Sequence, residues 1–491
     1  MADIVIDKNI FQLGMNESPY VANGAMVNCD FNQINGILKI QYSPVNKSGT
    51  VVTKLIKWFV EDSSQYLYGI DTAGVLYRST DSGETWATVA GQPTTNDPDG
   101  AGLAYWKGYI LVFKLRYIDA YNVMSGTWTA DFINSGLGCS IRPTFHSTDD
   151  KLYYGNGRYV GSIEEKSGQT FDPANAATFT SIVKALDLPS EHYVTALGEV
   201  GGKLAIGTAQ SSIISPKNRA WIFPWDKTSS SFNDPLQITD RGVNGFINVN
   251  GLVYASLGQR PRFIATNLTS VTEIGKLPIE YSADTHFIPL YSPGVFISHQ
   301  GELLVSPGTP VGAAFLTHQP FGLYAFNKKG AIYLKNTIST GTTVFDLHTQ
   351  IGAALSLGND ALIFSWRDDA SYGIDKVAGS TTTSYRYTGY KAYFESPVFR
   401  IGTAIRKRTF KQLEFVLGKE LATGQGIRIK YRTNLTDNFT TLGTYDFATL
   451  GAILSHNVSF GVTGELIQIR CELTTGASSS TTPELLEIRL I

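Results

Sequence analysis

Apolar and polar residues alternate one by one through long parts of this chain, and they show no convincing helical spacing. Ile427-Arg428-Ile429-Lys430-Tyr431 and Ile467-Gln468-Ile469-Arg470-Cys471 have the two-residue period of a strand with one buried face. Elsewhere short runs such as Leu152-Tyr153-Tyr154, Leu204-Ala205-Ile206, Leu252-Val253-Tyr254 and Leu362-Ile363-Phe364 stand between Gly, Asn, Asp and Ser. They read as short strands separated by turns, so the chain is predicted to be all-β.

The short runs recur. Ser79-Thr80-Asp81-Ser82-Gly83-Glu84-Thr85-Trp86 returns in degenerate form as Ser125-Gly126-Thr127-Trp128 and Lys166-Ser167-Gly168-Gln169-Thr170-Phe171, with the closing aromatics 42 and 43 residues apart. A second marker keeps step: a turn residue, one spacer and an aliphatic strand start. It places anchors at Leu67, Ile110, Leu152, Leu204, Leu252, Leu303 and Leu362. Periods of this size, with four short strands per unit, predict a β-propeller of about seven blades over residues 56–385.

The ends differ. Residues 1–55 fall outside the period and read as an arm plus a hairpin at Asn35-Gly36, one strand of which is expected to complete the last blade. After a Ser/Thr-rich link at 380–384, strands are predicted at 391–399, 410–416, 426–432, 440–445, 456–460, 466–473 and 484–491. Their alternation predicts a separate antiparallel β-sandwich over 386–491.

Charge and cysteines exclude more than they suggest. The 40 basic and 42 acidic residues are interspersed, with no basic stripe for nucleic acid. No apolar run approaches the length of a membrane span, and the amino terminus lacks the pattern of a signal peptide. Cys29, Cys139 and Cys471 are far apart and read as buried free thiols. No cofactor or metal is expected. The seven histidines are scattered singly, and Asn96-Asp97-Pro98-Asp99-Gly100 lacks the distal Glu of a calcium loop.

No catalytic set assembles. GxSxG, HExxH and P-loop patterns are absent. Asp149-Asp150, Glu164-Glu165 and Asp368-Asp369 are sequence neighbours, which in a strand point to opposite faces. The chain is therefore read as a non-enzyme. Trp221 and Trp225 are candidate contacts for a sugar or a protein partner if exposed, with packing in a blade core as the favoured alternative. Arg406-Lys407-Arg408 reads as a solvated hairpin tip.

Two resemblances add to this. Ser79, Asp81, Gly83, Thr85 and Trp86 match the Asp box, S-x-D-x-G-x-T-W, and the segment resembles the hairpin motif of sialidases and related propellers. In such families the box closes a turn on the blade periphery, so these five residues are expected to be structural. Tyr393-Phe394-Glu395-Ser396-Pro397-Val398-Phe399-Arg400, with Lys411-Gln412-Leu413-Glu414-Phe415 and Ile429-Lys430-Tyr431-Arg432-Thr433-Asn434, resembles modules in tail and other virion proteins of tailed bacteriophages. Gly24-Ala25, Asn28 and Gly36-Ile37-Leu38 are similar to the starts of propeller-bearing tail proteins, podovirus-type nozzles included. The resemblance implies a virion structural protein of the tail or attachment apparatus. It would pair with itself in a symmetric ring and with other virion proteins. The alternative is a glycan-binding or glycan-cleaving adsorption protein that recognises a host surface glycan.

Overall fold

The computed structural model describes residues 3–15, 24–32, 36–93, 102–114, 116–134, 145–210, 219–240, 242–249, 252–258, 262–277, 294–307, 321–326, 331–341, 349–358, 360–378, 386–401, 407–476 and 481–491. The turn at 96–100, the link at 380–384, Cys139, Arg406, His286, His318 and His348 lie outside them.

Among the described residues, six four-stranded antiparallel sheets and four antiparallel strands of a ten-stranded sheet follow one another along the chain, and the fold is an all-β propeller of seven blades. Six blades occupy 56–88, 102–134, 145–187, 192–238, 243–276 and 296–336. The seventh takes three strands from 349–377 and its outermost from Val45–Asn46 near the amino terminus. The innermost strands of blades 1 and 2 and of blades 3 to 7 lie side by side in succession, blades 2 and 3 share an apolar core, and the innermost strand of blade 7 lies against that of blade 1, so the ring closes.

The sequence marker has a conformational cause. In blades 2, 3, 4 and 6 the first hairpin turns on two residues of positive φ: Lys107-Gly108, Asp149-Asp150, Gly201-Gly202 and Gln300-Gly301. This turn matches the right-handed twist of the strands it joins. One strand residue follows, then the aliphatic anchor, so the anchors share one strand position. Ile110, Leu152, Leu204 and Leu303 are buried there, as are Leu67 and Leu362 in blades 1 and 7. Blade 5 corrects the sequence reading. Leu252 is 39% exposed, whereas Val253 is fully buried, because Leu252 occupies the spacer position.

Ring closure rests on packing more than on the ladder. The two residues Val45 and Asn46 pair with Lys376 and Asp375, and net backbone hydrogen bonds contribute about 1 kcal/mol each. Across the same junction Ile56, Phe59, Leu67, Tyr77 and Trp86 of blade 1 meet Ala353, Ile363 and Ile374 of blade 7. Burial of each large apolar side chain is worth about 1.5–3 kcal/mol, so the apolar interface carries most of the closure.

The carboxyl-terminal strands form two facing sheets, and the amino terminus is woven into both. This corrects the picture of a free arm and a separate sandwich. One sheet runs Cys29–Asn32, Ile37–Ile40, Leu485–Leu490, Arg408–Leu417 and Ser455–Gly464, with Ile4–Ile6 also paired to Leu485–Leu490. The other continues directly from blade 6. Ala25–Val27 lies parallel to Ile332–Asn336 and antiparallel to Ala392–Glu395, which leads on to Leu466–Thr474, Gly426–Arg432 and Thr440–Asp446. A single core, including Phe11, Val27, Leu334, Phe394, Phe415, Ile469 and Ile488, spans blade 6 and both sheets. Cys29 and Cys471 are free thiols in that core.

Candidate functional site

The hairpin at Ser79–Trp86 is held by its own side chains. Ser79 Oγ donates to Asp81 Oδ1 at 2.7 Å and accepts from the Gly83 N–H at 2.9 Å. Asp81 also accepts from the Thr85 N–H at 2.9 Å and from Thr85 Oγ1 at 2.6 Å. Gly83 has φ +84°, and a Cβ there would lie 3.2 Å from Ile363 of blade 7. Burial pushes the Asp81 carboxyl up, but the Thr85, Ser79 and Glu84 donors outweigh it and hold it below the usual carboxylate range. Trp86 is buried against Phe59. Neighbouring Glu84 receives Lys47 at 2.6 Å and Lys376 at 2.7 Å. The hairpin therefore ties blade 1 to blade 7 through Gly83, Glu84 and Trp86, with the closing segment alongside.

Trp225 does not meet the condition of exposure and packs in the blade core instead. It is 2% exposed, edge-on to Tyr153 of blade 3, with its Nε1–H bonded to the Ser229 carbonyl at 2.8 Å. Trp221 is half-buried and stacks on Phe223. Both lie on a regular strand, Ala220–Trp225, rather than in an irregular segment.

The adjacent carboxylates serve turns and blade junctions. Asp149 meets Lys227, which also bonds Glu199 at 3.0 Å, and Asp150 meets Lys107 at 3.3 Å. Glu164 pairs with Lys151 at 2.5 Å, while Glu165 accepts the Phe171 N–H at 2.8 Å. Asp368 accepts from Thr340 Oγ1 at 2.9 Å. Among the described residues no three of His, Cys, Asp and Glu are grouped to hold a metal ion, and no helix is long and apolar enough to cross a membrane.

The ring axis carries a cavity of about 290 Å³ that sequence reasoning missed. Its walls are the innermost strands of blades 1, 4, 5 and 7 and the segment Gly294–Ile297 of blade 6. Four of these strands carry a bulge at the cavity: Lys57, Thr195, Asn244, and one residue of Gly352-Ala353 are extra to the ladder. Bulges of this kind re-aim side chains and bend strands. Thr195 and Asn244 use their side chains to bond the carbonyls of Gly207 and Gly258, so they brace the wall.

The motif resembling virion modules builds a polar ladder on the outer face of the sandwich. Glu472, 3% exposed, forms ion pairs with Lys430 at 2.7 Å and Arg470 at 3.0 Å and accepts a hydrogen bond from Arg428 at 3.2 Å. Arg470 lies over Tyr393 and meets Glu395 at 3.3 Å, Arg432 lies over Phe439, and Arg428 over Tyr390. Ser396 receives the Ile469 N–H, and the Glu395 carbonyl receives the Gly24 N–H. These residues join the amino-terminal strand to the sandwich.

No family model and no curated protein matches the chain. Solved structures that match are distant. The extracellular domain of a protein described as a hybrid two-component system from B. thetaiotaomicron aligns at 12% identity and TM-score 0.47, over 78% of this chain and 44% of that one. The chain thus spans less than half the length of that extracellular domain. The WD40 propeller domain of Doa1 aligns at 11% identity and TM-score 0.45, over 69% and 97% of the two chains. The propeller domain of Cps50 (Swd1) from Myceliophteria thermophila gives 9% identity and TM-score 0.43, over 66% and 98%.

Proposed function

We propose that this protein is a non-enzymatic structural component of a tailed-phage virion, a rigid assembly or adsorption piece of the tail or attachment apparatus. One observation carries the reading. Strand Ala25–Val27 joins blade 6 to the sandwich sheet, so ten strands form one sheet through both parts of the molecule. A hinge between two modules suits a sensor, whereas a shared sheet and a shared core suit a part that transmits load. The virion-like motif supports the same reading, because its Glu395 and Ser396 carbonyls accept the Gly24 N–H at that joint and Gln468 and Ile469 of the next strand bond Ser396. Its partners are then copies of itself in a symmetric ring and other virion proteins, and its place is the virion.

The test is depletion and add-back. Particles assembled without this chain should lack infectivity and regain it when purified protein is supplied. Intact infectivity without the chain, or its absence from purified particles, overturns the proposal. Release of reducing sugar from host polysaccharide, abolished by one carboxylate substitution, would instead establish a glycan-cleaving adsorption protein.

A further inference from the structure

Sheets end in edges, and nearly every edge in this molecule is managed. Blade 6 is continued by Ala25–Val27 and blade 7 by Val45–Asn46. The outermost strands of blades 1 and 4, Ala87–Thr88 and Leu236–Ile238, are two and three residues long. Those of blades 2, 3 and 5 carry charge: Asp131 in Trp128–Asn134, Lys184 and Asp187 in Phe179–Asp187, Glu273 and Lys276 in Val271–Lys276. Thr440–Asp446 is interrupted by a bulge at Leu442 and ends on Asp446. Shortness, charge and bulges are the devices that keep edges from pairing with other chains.

Strand Ser455–Gly464 is the exception. It has ten residues, with no Lys, Arg, Asp, Glu or Pro, and among the described residues it pairs only with Arg408–Leu417. Its register is unbroken from Ser455 to Ser459, and the bulge comes only after that, beside Gly461. Ser455, Asn457 and Ser459 are exposed, with His456 and Val458 half-buried on the core side. The connection leading into the strand exposes two large apolar side chains, Phe447 at 42% and, next to Ser455, Leu454 at 51%.

We propose that Ser455–Ser459 docks a second copy of this chain, edge to edge and antiparallel, about a two-fold axis at Asn457. The occupant follows from the other edges. A head-to-tail contact would need a second neutral, uninterrupted edge, and among the described strands the other such edge, Gly102–Trp106, is innermost in its blade and lies against the innermost strand of blade 1, so the strand's best complement is itself. Self-pairing extends the sheet without opposing like charges, and it brings the exposed Leu454 of each copy toward the other. The inference deepens the assembly role proposed above, but its test reads only self-association of the purified chain.

In this register Asn457 faces its counterpart, and Ser455 faces Ser459 of the other copy. Sedimentation over a concentration series should show a dimer. Asn457→Lys sets two like charges opposite each other and should weaken self-association about tenfold or more, with the melting temperature unchanged. Ser455→Lys with Ser459→Lys should do the same, whereas Ser455→Lys with Ser459→Glu should restore the dimer. A wild-type chain that is monomeric throughout, or a dimer indifferent to Asn457→Lys, overturns the edge. Dependence on Thr440–Asp446 in place of Asn457 would move the contact to the other sheet and overturn it equally. Loss of particle incorporation by a chain monomeric in solution would uphold the virion role while refuting this contact.

Discussion

Replacing Asp81 with Ala tests whether the Ser79–Trp86 hairpin is a structural staple. The substitution removes the acceptor for three donors: Ser79 Oγ, the Thr85 N–H and Thr85 Oγ1. The carboxylate is exposed, so water takes over part of each bond, and a hydrogen bond to a charged group is worth less there than its buried value. The summed cost is about 1–2 kcal/mol. At about 2.1 cal/mol/K per residue, cooperative unfolding of 491 residues has an entropy near 1 kcal/mol/K, so the melting temperature should fall by only about 1–2 °C. Urea titration followed by tryptophan fluorescence is the sharper assay, because Trp86 is buried behind the turn. The sign of the pH dependence is a second check. The Asp81 carboxyl is held below its ordinary value in the folded state, so its contribution is complete above the ordinary carboxylate pKa. It disappears as pH falls through the lower, folded-state value. The difference between wild type and Asp81→Ala should therefore be present at neutral pH and vanish in strong acid. An unchanged midpoint together with lost ligand binding or self-association would refute the staple and make Asp81 a contact residue.

Trp225→Ala should cost about 3–5 kcal/mol because it empties the junction of blades 3 and 4, and Trp221→Ala distinctly less; equal urea midpoints would contradict the burial argument. His299 is buried, bonded to Ser356 Oγ at 2.8 Å, and lowered to about 4, first by burial and then by the charge of Lys335. Its neutral form is favoured in the fold, so stability present above the ordinary value of 6.5 should be lost as pH falls toward 4. His299→Gln should remove that slope, and an unchanged acid profile would count against it. Asp375, raised to about 6 by burial despite donors on Ser339 and Trp366, runs the other way: the fold should lose stability as pH rises from the ordinary value toward 6. A differential melt of Asp375→Asn over that interval should show the slope abolished. Deleting residues 1–30 removes Ile4–Ile6 and Ala25–Val27 but leaves the closing strand Val45–Asn46. Limited proteolysis should then strip the sandwich while protecting a fragment from about 45 to 377, and uniform digestion of the whole chain would sink this expectation.

What the sequence made legible was what short-range chemistry dictates. A two-residue turn with both φ positive draws on Gly, Asn and Asp, so Lys107-Gly108, Asp149-Asp150 and Gly201-Gly202 announce themselves, and with them the strands on either side. The blade count followed from that punctuation. The same rule, applied one residue too early, put Leu252 where Val253 belongs. Pairings between distant segments leave no such trace. Nothing local in Ala25-Met26-Val27 says that it will lie between Ile332–Asn336 and Ala392–Glu395, because any apolar triplet of that size would read alike. The axial bulges are hidden for a different reason. An extra residue such as Lys57 or Asn244 breaks the two-residue period that identifies a strand, so in sequence it looks like the end of the strand. Trp225 was left open for a third reason: an indole near a turn reads the same whether it faces solvent or the neighbouring blade, and only the placement of Tyr153 decides it. The edge at Ser455–Gly464 stands between these cases. Its neutrality is written in ten consecutive residues, yet it acquires meaning only when the topology shows that the other outer edges among the described residues are short, charged or covered.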